Sequence, residues 1–497
     1  MASRTGVETM IPLSSMGRLV RGGERLSYGH YAVDASQWQA LWHMSAVALP
    51  MLSFWADELR AYGLFLEGDQ PLLVSTAIDD KRYVGPSQRY PVAEWGERVA
   101  FDLYGVEAMD VPGDGRSALD GGAWDITWPL AQRPGPGGSH GGALKASKAP
   151  FWVDGNGVSG VFGLVPDGQQ GGICAEQCEA GLGHRGVIAQ LLGRTPDEAM
   201  GLVSRMSAGG YVAYPLALAR AFMQAEGRSI EPAIRDGWMV LLEIERISVH
   251  LHDVMLTACA MDAGVLAAHC THAREALARV CVDHGATRRL TDMIRKEGYR
   301  RGVEIVPLAQ AVLREMKPRL SKLALLVDVY APRLAGLAVL PVDLARGLAI
   351  GGPLGRSSGR SLDLRRAENG MRLDALRATG ASEGDARARQ AVRMTEMFDS
   401  LRLLERILSS FGLGDADEAY PAIPQAIHQE GLGAAEAARG DVWVWVRLKE
   451  GRIDAVHMRD PAVPVVAALG RIMMDMDVTM MPLALRSLGL STAGVAQ

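Results

Sequence analysis

The sequence predicts an α+β protein: a small α/β unit first, then a mainly α-helical unit with peripheral β hairpins. Three observations carry that reading. Residues 32–111 mix helix-period and strand-period segments. A Gly/Pro/Ser-rich stretch, RPGPGGSHGGALKASKAP, then breaks the composition. From Pro196 the pattern is helical for about 220 residues, until an alternating stretch, DVWVWVRLKEGRIDAVHMRDP, near the end.

Taken in order, residues 1–28 form a polar arm with little periodicity. Residues 29–115 make the α/β unit. Within it VDASQWQALWHMSAV reads as a helix, GLFLEGDQPLLVSTAI as strand, turn and strand, and AEWGERVAFDLYGV as an amphipathic helix with Glu94, Arg98 and Asp102 four apart. Residues 116–150 are a flexible linker, and residues 151–497 the second unit. That unit opens with a hairpin, because DGNG separates FWV from VSGVFGLV. Cys174 and Cys178 follow, four apart, a spacing that clips a metal only if a helix holds them; no second Cys/His pair stands nearby at zinc-site spacing, so no metal site is assigned. A hairpin through Glu450–Gly451, a last helix over Val463–Met476 and a short apolar tail complete the chain.

Composition narrows the function classes. A chain of 497 residues exceeds one ordinary core. It is 48% hydrophobic and 22% charged, which is globular. The net charge of -5, with no basic stripe interleaved with aromatics, gives no argument for nucleic acid. No charge-free apolar run approaches the roughly 20 residues of a membrane span; the most apolar region, Leu323–Leu354, is interrupted by Asp328, Arg333, Asp343 and Arg346. The N-terminal stretch lacks the continuous apolar core of a signal peptide. Five cysteines, an odd number, suit a reducing cytoplasm.

The helical unit is organised around WMVLLEIERISVHLHDVMLTACAMDAG, read as one helix from Trp238 to Gly264. At helical spacing Glu243, Arg246, His250 and Asp253 share a polar stripe, and Glu245, Ser248 and His252 share the opposite one. Apolar residues fill both faces between, so the helix is expected to be packed from two sides with its charges paired. Arg246→Ala is accordingly expected to destabilise sharply, and Glu245→Ala, on the other stripe, more mildly.

Several short motifs, in one order, resemble a known family. AEWGERVAFDLYGV resembles the signature of the small "C" subunit of NADH–quinone oxidoreductase (respiratory complex I). LGHRGV at 182–187, LLEIERISVHL, AMDAG at 260–264 with Arg274–Glu275, GGPLGRSSGRSLDLRR, VRMTEMFDSLRLLE and EAARGD at 436–441 resemble, in sequence, its "D" subunit and the related large subunit of energy-converting [NiFe] hydrogenases. Both halves in one chain resemble the large subunit of hydrogenase-4 and formate hydrogenlyase. The resemblance implies a hydrogenase-large-subunit-like fold for residues 151–497.

The departures bear on mechanism. A [NiFe] centre needs two Cys-x-x-Cys pairs, because soft thiolates hold nickel and bridge it to iron. Just after Arg205, where the resemblance implies the first pair, stand Ser207, Ala208, Gly209 and Gly210; the C-terminal RSLGLSTAGVAQ has no cysteine for the second. Ile188 replaces the Glu that usually follows the HRG motif. No nickel–iron centre is therefore expected on this chain. In complex I the same region faces quinone through a His and a Tyr. Here PFWVDGNG has no His and Ala208 replaces the Tyr, which leaves open a quinone cavity built from Tyr211 or Tyr214 with His184 and Arg185. The resemblance further implies that Arg205, and Arg288 with Arg289, lie near an iron–sulfur cluster of a neighbouring small subunit, where a fixed positive charge raises the potential.

The motifs and departures together lead to an expected peripheral-arm subunit of a hydrogenase-4-like or complex-I-like membrane oxidoreductase that couples electron transfer to ion translocation. Its partners would be the iron–sulfur small subunit and antiporter-like and other membrane subunits, with the chain on the cytoplasmic face of the inner membrane. The alternatives are a redox-silent structural adaptor of such a complex and a hydrogenase maturation scaffold.

Overall fold

The structure, a computed structural model, describes residues 14–27, 29–44, 49–68, 70–112, 118, 126–136, 150–155, 158–166, 173–182, 186–367, 382–413, 429–474 and 476–495. It is a mixed α+β fold, as the sequence predicts. The N-terminal part is a five-stranded sheet of β1 (Glu24–Ser27), β2 (His30–Val33), β3 (Met51–Ala56), β4 (Arg60–Glu67) and β5 (Gln70–Ala77), in the order β1-β2-β5-β4-β3. The β2–β5 pair is parallel and the others are antiparallel. Helix α1 (Ala35–His43) begins in a capping box of Asp34 and Gln37. Helix α2 (Glu94–Tyr104) ends where Gly105 turns left-handed.

Three antiparallel strands follow: β6 (Pro150–Gly155), β7 (Val158–Pro166) and β8 (Ile173–Leu182), with Gly155 opposite Val158 at the predicted hairpin. Cys174 and Cys178 lie on β8, a strand and not the helix that a metal clip requires.

The main body is helical. Around α4 (Pro232–Ala260) pack α5 (Gly264–Asp283), α8 (Ala386–Ser409) and α10 (Met481–Leu488), while α3 (Ala213–Ala225), α6 (Ile305–Tyr330), the short α7 (Gly352–Ser357) and α9 (Ala462–Ile472) complete the set used below. Helix α4 is offset from its sequence-predicted bounds. Pro232 occupies its first turn, where a missing N–H costs nothing. Asp262 at φ +55° ends it, and Gly264 starts α5 instead of closing α4. Buried side chains run around its whole circumference, from Trp238 to Ala258.

Strands β9 (Gln429–Ala437), β10 (Gly440–Lys449) and β11 (Arg452–Arg459) form an antiparallel sheet, with the β10–β11 turn at Glu450–Gly451 as predicted. Helix α3 lies against β9 so closely that a Cβ on Gly431 or Gly433 would collide with the Ala221 or Ala217 carbonyl. The last predicted helix stops at Ile472, and the apolar tail contains α10.

The N-terminal sheet docks onto β9–β11. Trp55 stacks on His457 at 4.1 Å with rings 8° apart. Ser53 Oγ is 3.0 Å from His457 Nε2, and Arg459 Nε donates to the Leu52 carbonyl at 2.7 Å. His30 Nδ1 is 2.6 Å from Glu430 Oε2.

Candidate functional site

Helix α4 carries Glu243, Arg246, His250 and Asp253 on one face, all at most 1% exposed. Four ionisable groups at that depth require partners. These come from α7, the segment after it, α8 and the β9–β10 turn. Glu243 Oε2 accepts from Ser400 Oγ at 2.6 Å, and from Arg246 Nε and Arg365 Nη1 at 3.2 Å each. Arg246 also donates to the Glu436 carbonyl at 2.5 Å and the Ala437 carbonyl at 3.2 Å. Arg356 bridges Glu396, at 2.7 Å, and Glu436, at 2.8 Å. Asp363 pairs with Arg365 through both oxygens at 2.7 and 2.9 Å. Asp253 accepts from Nη2 and Nε of Arg439, at 2.6 and 3.1 Å.

Burial pushes Glu396 up, but Arg356, His250 and Arg246 outweigh it and hold the carboxyl well below its ordinary range. Burial likewise opposes Asp363, which Arg365 and Arg356 hold down. Burial dominates at His250 and lowers it, so its neutral form faces Glu396. Alternating acids and guanidiniums thus pin three helices and a β turn into one rigid pillar. The partners Arg356, Asp363, Arg365 and Glu436 stood in the quoted motifs, and Glu396 in VRMTEMFDSLRLLE. The available signal was that buried charges on α4 need counter-charges from elsewhere.

On the opposite stripe Ser248 and His252 are half-buried, whereas Glu245 is as deep as the first stripe, which argues against a milder effect of Glu245→Ala. Glu245 is 2% exposed and accepts the backbone N–H groups of Val212 and Ala213 at 2.8 and 3.0 Å, closing the N-terminus of α3. Burial raises its carboxyl to about 7, against those hydrogen bonds.

Loop 207–210 and the C-terminal segment 488–491 meet around a void of about 30 Å³, with Tyr214 and Asp460 in its wall. The family resemblance implies these two segments as the source of nickel-binding thiolates. Hydroxyl, backbone and apolar groups line the space together with the Asp460 carboxyl and the Arg439 guanidinium, and it has room for about one water; with no thiolate in the lining, the residues do not fit a nickel–iron centre. Tyr214 is 3% exposed and donates its hydroxyl to Asp460. It is a core residue, so of the two tyrosines nominated for a cavity only Tyr211 lines an open one. His184 and Arg185 lie outside the described residues.

That open cavity, about 440 Å³, lies between α4 and α5 and is lined by Tyr211, Glu245, His252, Arg274 and Arg289 among others. Of the three basic residues nominated from sequence, Arg288 and Arg289 line this cavity, and Arg205 pairs with Asp292, two residues beyond the lining Leu290. Arg205 is exposed and grips Asp292 with both terminal nitrogens. Asp292 is in turn held by Ser204 Oγ, which accepts its N–H at 2.8 Å. Arg288 pairs with Glu275 on α5, and Arg289 lies at the cavity mouth. Among the described residues no group of three or more His, Cys, Asp or Glu side chains is placed to hold a metal.

Residues 262–426 match the family described as respiratory-chain NADH dehydrogenase, 49 kDa subunit. The chain is 24% identical over 310 residues to the C/D subunit of NADH-quinone oxidoreductase from Bacteroides thetaiotaomicron, covering 58% of this chain and 56% of that protein. It is 26% identical over 407 residues to formate hydrogenlyase subunit 5 of Escherichia coli, covering 75% and 69%. A 34% identity to a D-type subunit of NADH-quinone oxidoreductase from Cytophaga hutchinsonii spans 122 residues, 22% of this chain and 31% of that one. The match thus spans little more than half of the C/D relative. Among solved structures, a chain of the membrane-bound sulfane sulfur reductase, an archaeal respiratory membrane complex, superposes with a TM-score of 0.58 at 18% identity, over 68% of this chain and 94% of that one. The resemblance carried by the motifs is borne out.

Proposed function

We propose that this chain, related to the D-type subunits of complex I and to the formate hydrogenlyase large subunit, is a peripheral-arm subunit of a membrane-bound oxidoreductase that couples electron transfer to ion translocation. No helix among the described residues is long and apolar enough to cross a membrane; the chain would sit on the cytoplasmic face, against membrane subunits. Electrons would come from the cluster of an iron–sulfur small subunit, and this chain would supply a shaped cavity without a nickel–iron centre of its own. The observation that supports the reading is that Arg288 and Arg289 line the α4–α5 cavity, with Arg205 bound to Asp292, two residues beyond the cavity-lining Leu290. Behind it the ionic pillar gives that cavity a rigid back.

A second reading, the redox-silent adaptor, is supported by Tyr214. Its hydroxyl is spent on Asp460 inside the core, so it faces no substrate.

Isolation of the complex from its native membrane through a tag on this chain tests the proposal. The expected result is co-purification of an iron–sulfur protein and polytopic subunits, with no stoichiometric nickel on this chain. Recovery of the chain alone from solubilised membranes would sink it.

A further inference from the structure

The cavity between α4 and α5 has an uncompensated positive charge. Of the guanidiniums that line it, Arg439 is neutralised by Asp253 through two bonds, and Arg288 by Glu275. Among the described residues Arg274, half-buried on α5, has His252 as its one hydrogen-bond partner: its Nη1 is 3.2 Å from His252 Nδ1. With Nδ1 accepting, that ring is neutral and its proton sits on Nε2, a further donor. Burial, with Arg274, Arg439 and Arg486 nearby, lowers His252 to about 4, against the pull of Asp253. Arg289, at the mouth, has no hydrogen bond or ion pair among the described residues, and its charge repels Arg274. Glu245 is the acid deepest in the cavity wall, and both its oxygens are committed to backbone N–H groups. A partly desolvated guanidinium with a neutral neighbour and a second cation beside it calls for a counter-anion.

We propose that this cavity binds a carboxylate, seated on Arg274 and approached past Arg289. A planar guanidinium offers paired N–H donors that match a carboxylate in two-point fashion. Glu245 on the same wall disfavours a ligand of higher negative charge, which selects a carboxylate over a phosphate. A volume of about 440 Å³ admits a small organic acid or the side chain of an acidic residue from a neighbouring subunit. The site stands whether or not a partner's cluster lies against the surface outside.

The experiment is calorimetric titration of the full-length chain with acetate, propionate and inorganic phosphate at constant ionic strength. Saturable binding of acetate or propionate is expected, at least tenfold weaker in Arg274→Gln and weakened less in Arg289→Gln. Arg274→Lys keeps the charge and should recover part of the affinity, which separates a lost ligand contact from a misfolded variant. Lys317→Gln, on the exposed side of α6, should bind as the parent does. Repeating the titration on the intact complex distinguishes the source. Retained binding identifies a free acid; binding lost on assembly, with Arg274→Gln weakening assembly, identifies a partner's carboxylate. Absence of saturable carboxylate binding by the parent chain, equal affinity in Arg274→Gln, or a preference for phosphate would each overturn the proposal.

Discussion

His250 Nε2 stands 2.8 Å from Glu396 Oε2, a contact between α4 and α8 in which both groups are buried. Burial holds the imidazole neutral below its ordinary range, while Arg356 and His250 help to hold Glu396 ionised. For His250 the unfolded chain binds a proton as pH falls below about 6.5 and the folded chain does not, so stability is lost from there downward. Glu396 has the same sign in a lower window: its contribution is complete above about 4.5 and is lost as pH falls through its depressed folded value. Other groups titrate in the same range: the raised carboxyl of Glu245, near 7, opposes this trend, and the lowered His252, near 4, adds to it. The share of His250 is therefore read as the difference in thermal midpoint between the parent and His250→Gln, which keeps a donor for Glu396 without titrating; that difference should move against the parent as pH falls below about 6.5. A difference that does not change with pH would assign the acid sensitivity elsewhere.

Arg246 and Glu245 are adjacent in sequence and serve opposite sides of α4. Arg246→Ala leaves Glu243 short of a partner and removes one donor each from the Glu436 and Ala437 carbonyls, at about 3–5 kcal/mol. Glu245→Ala orphans two buried N–H groups at the start of α3, each costing about 1–3 kcal/mol. Urea denaturation of both variants should show two large losses of stability. A negligible loss in Glu245→Ala would mean that solvent satisfies the start of α3.

Gly433 tests the seating of α3 on β9. A Cβ there would strike the Ala217 carbonyl and crowd the Ala221 N–H, both backbone groups that cannot rotate away. Gly433→Ala should cost at least the roughly 1–3 kcal/mol of an overpacked core. Gly451→Ala meets no neighbour but sits at φ +73°, so its penalty is backbone strain alone. Melting temperatures of the pair should rank Gly433→Ala as the worse.

How much of this was legible depends on distance along the chain. The β10–β11 hairpin was readable because alternation and the Glu450–Gly451 turn are local signals. The four-residue stripe on α4 was readable because helical periodicity is local too. The partners of that stripe were not: Glu396 is 146 residues from His250, and Asp460 is 246 from Tyr214. Periodicity also assigned Gly264 to the end of α4, because glycine is the usual terminator, whereas Asp262 in a left-handed conformation makes the break. Glu245 was placed on an opposite polar face because a wheel shows angle, not depth. Glu245 lies at the deep end of its stripe, against the start of α3, while Ser248 and His252 on the same stripe line the α4–α5 cavity.

Arg205 and Asp292 supply the test that separates the redox reading from the adaptor reading. The two form a two-point ion pair at the surface, with Arg205 more exposed than Asp292. If a partner's cluster lies against this surface, the pair presents nearly cancelling charges, and each single substitution uncovers the other. Arg205→Ala leaves the carboxylate alone, which disfavours adding an electron and lowers the midpoint potential. Asp292→Asn leaves the guanidinium alone and raises it, since that cation does not deprotonate. Screened by solvent at an effective dielectric of about 20 or more, each shift should be roughly some tens of millivolts, with opposite signs. A redox titration of the assembled complex, followed by electron paramagnetic resonance, reads both. Opposite shifts put the pair beside the cluster. Unchanged midpoints in both variants of an intact complex would take this surface away from any electron path and leave the chain an adaptor.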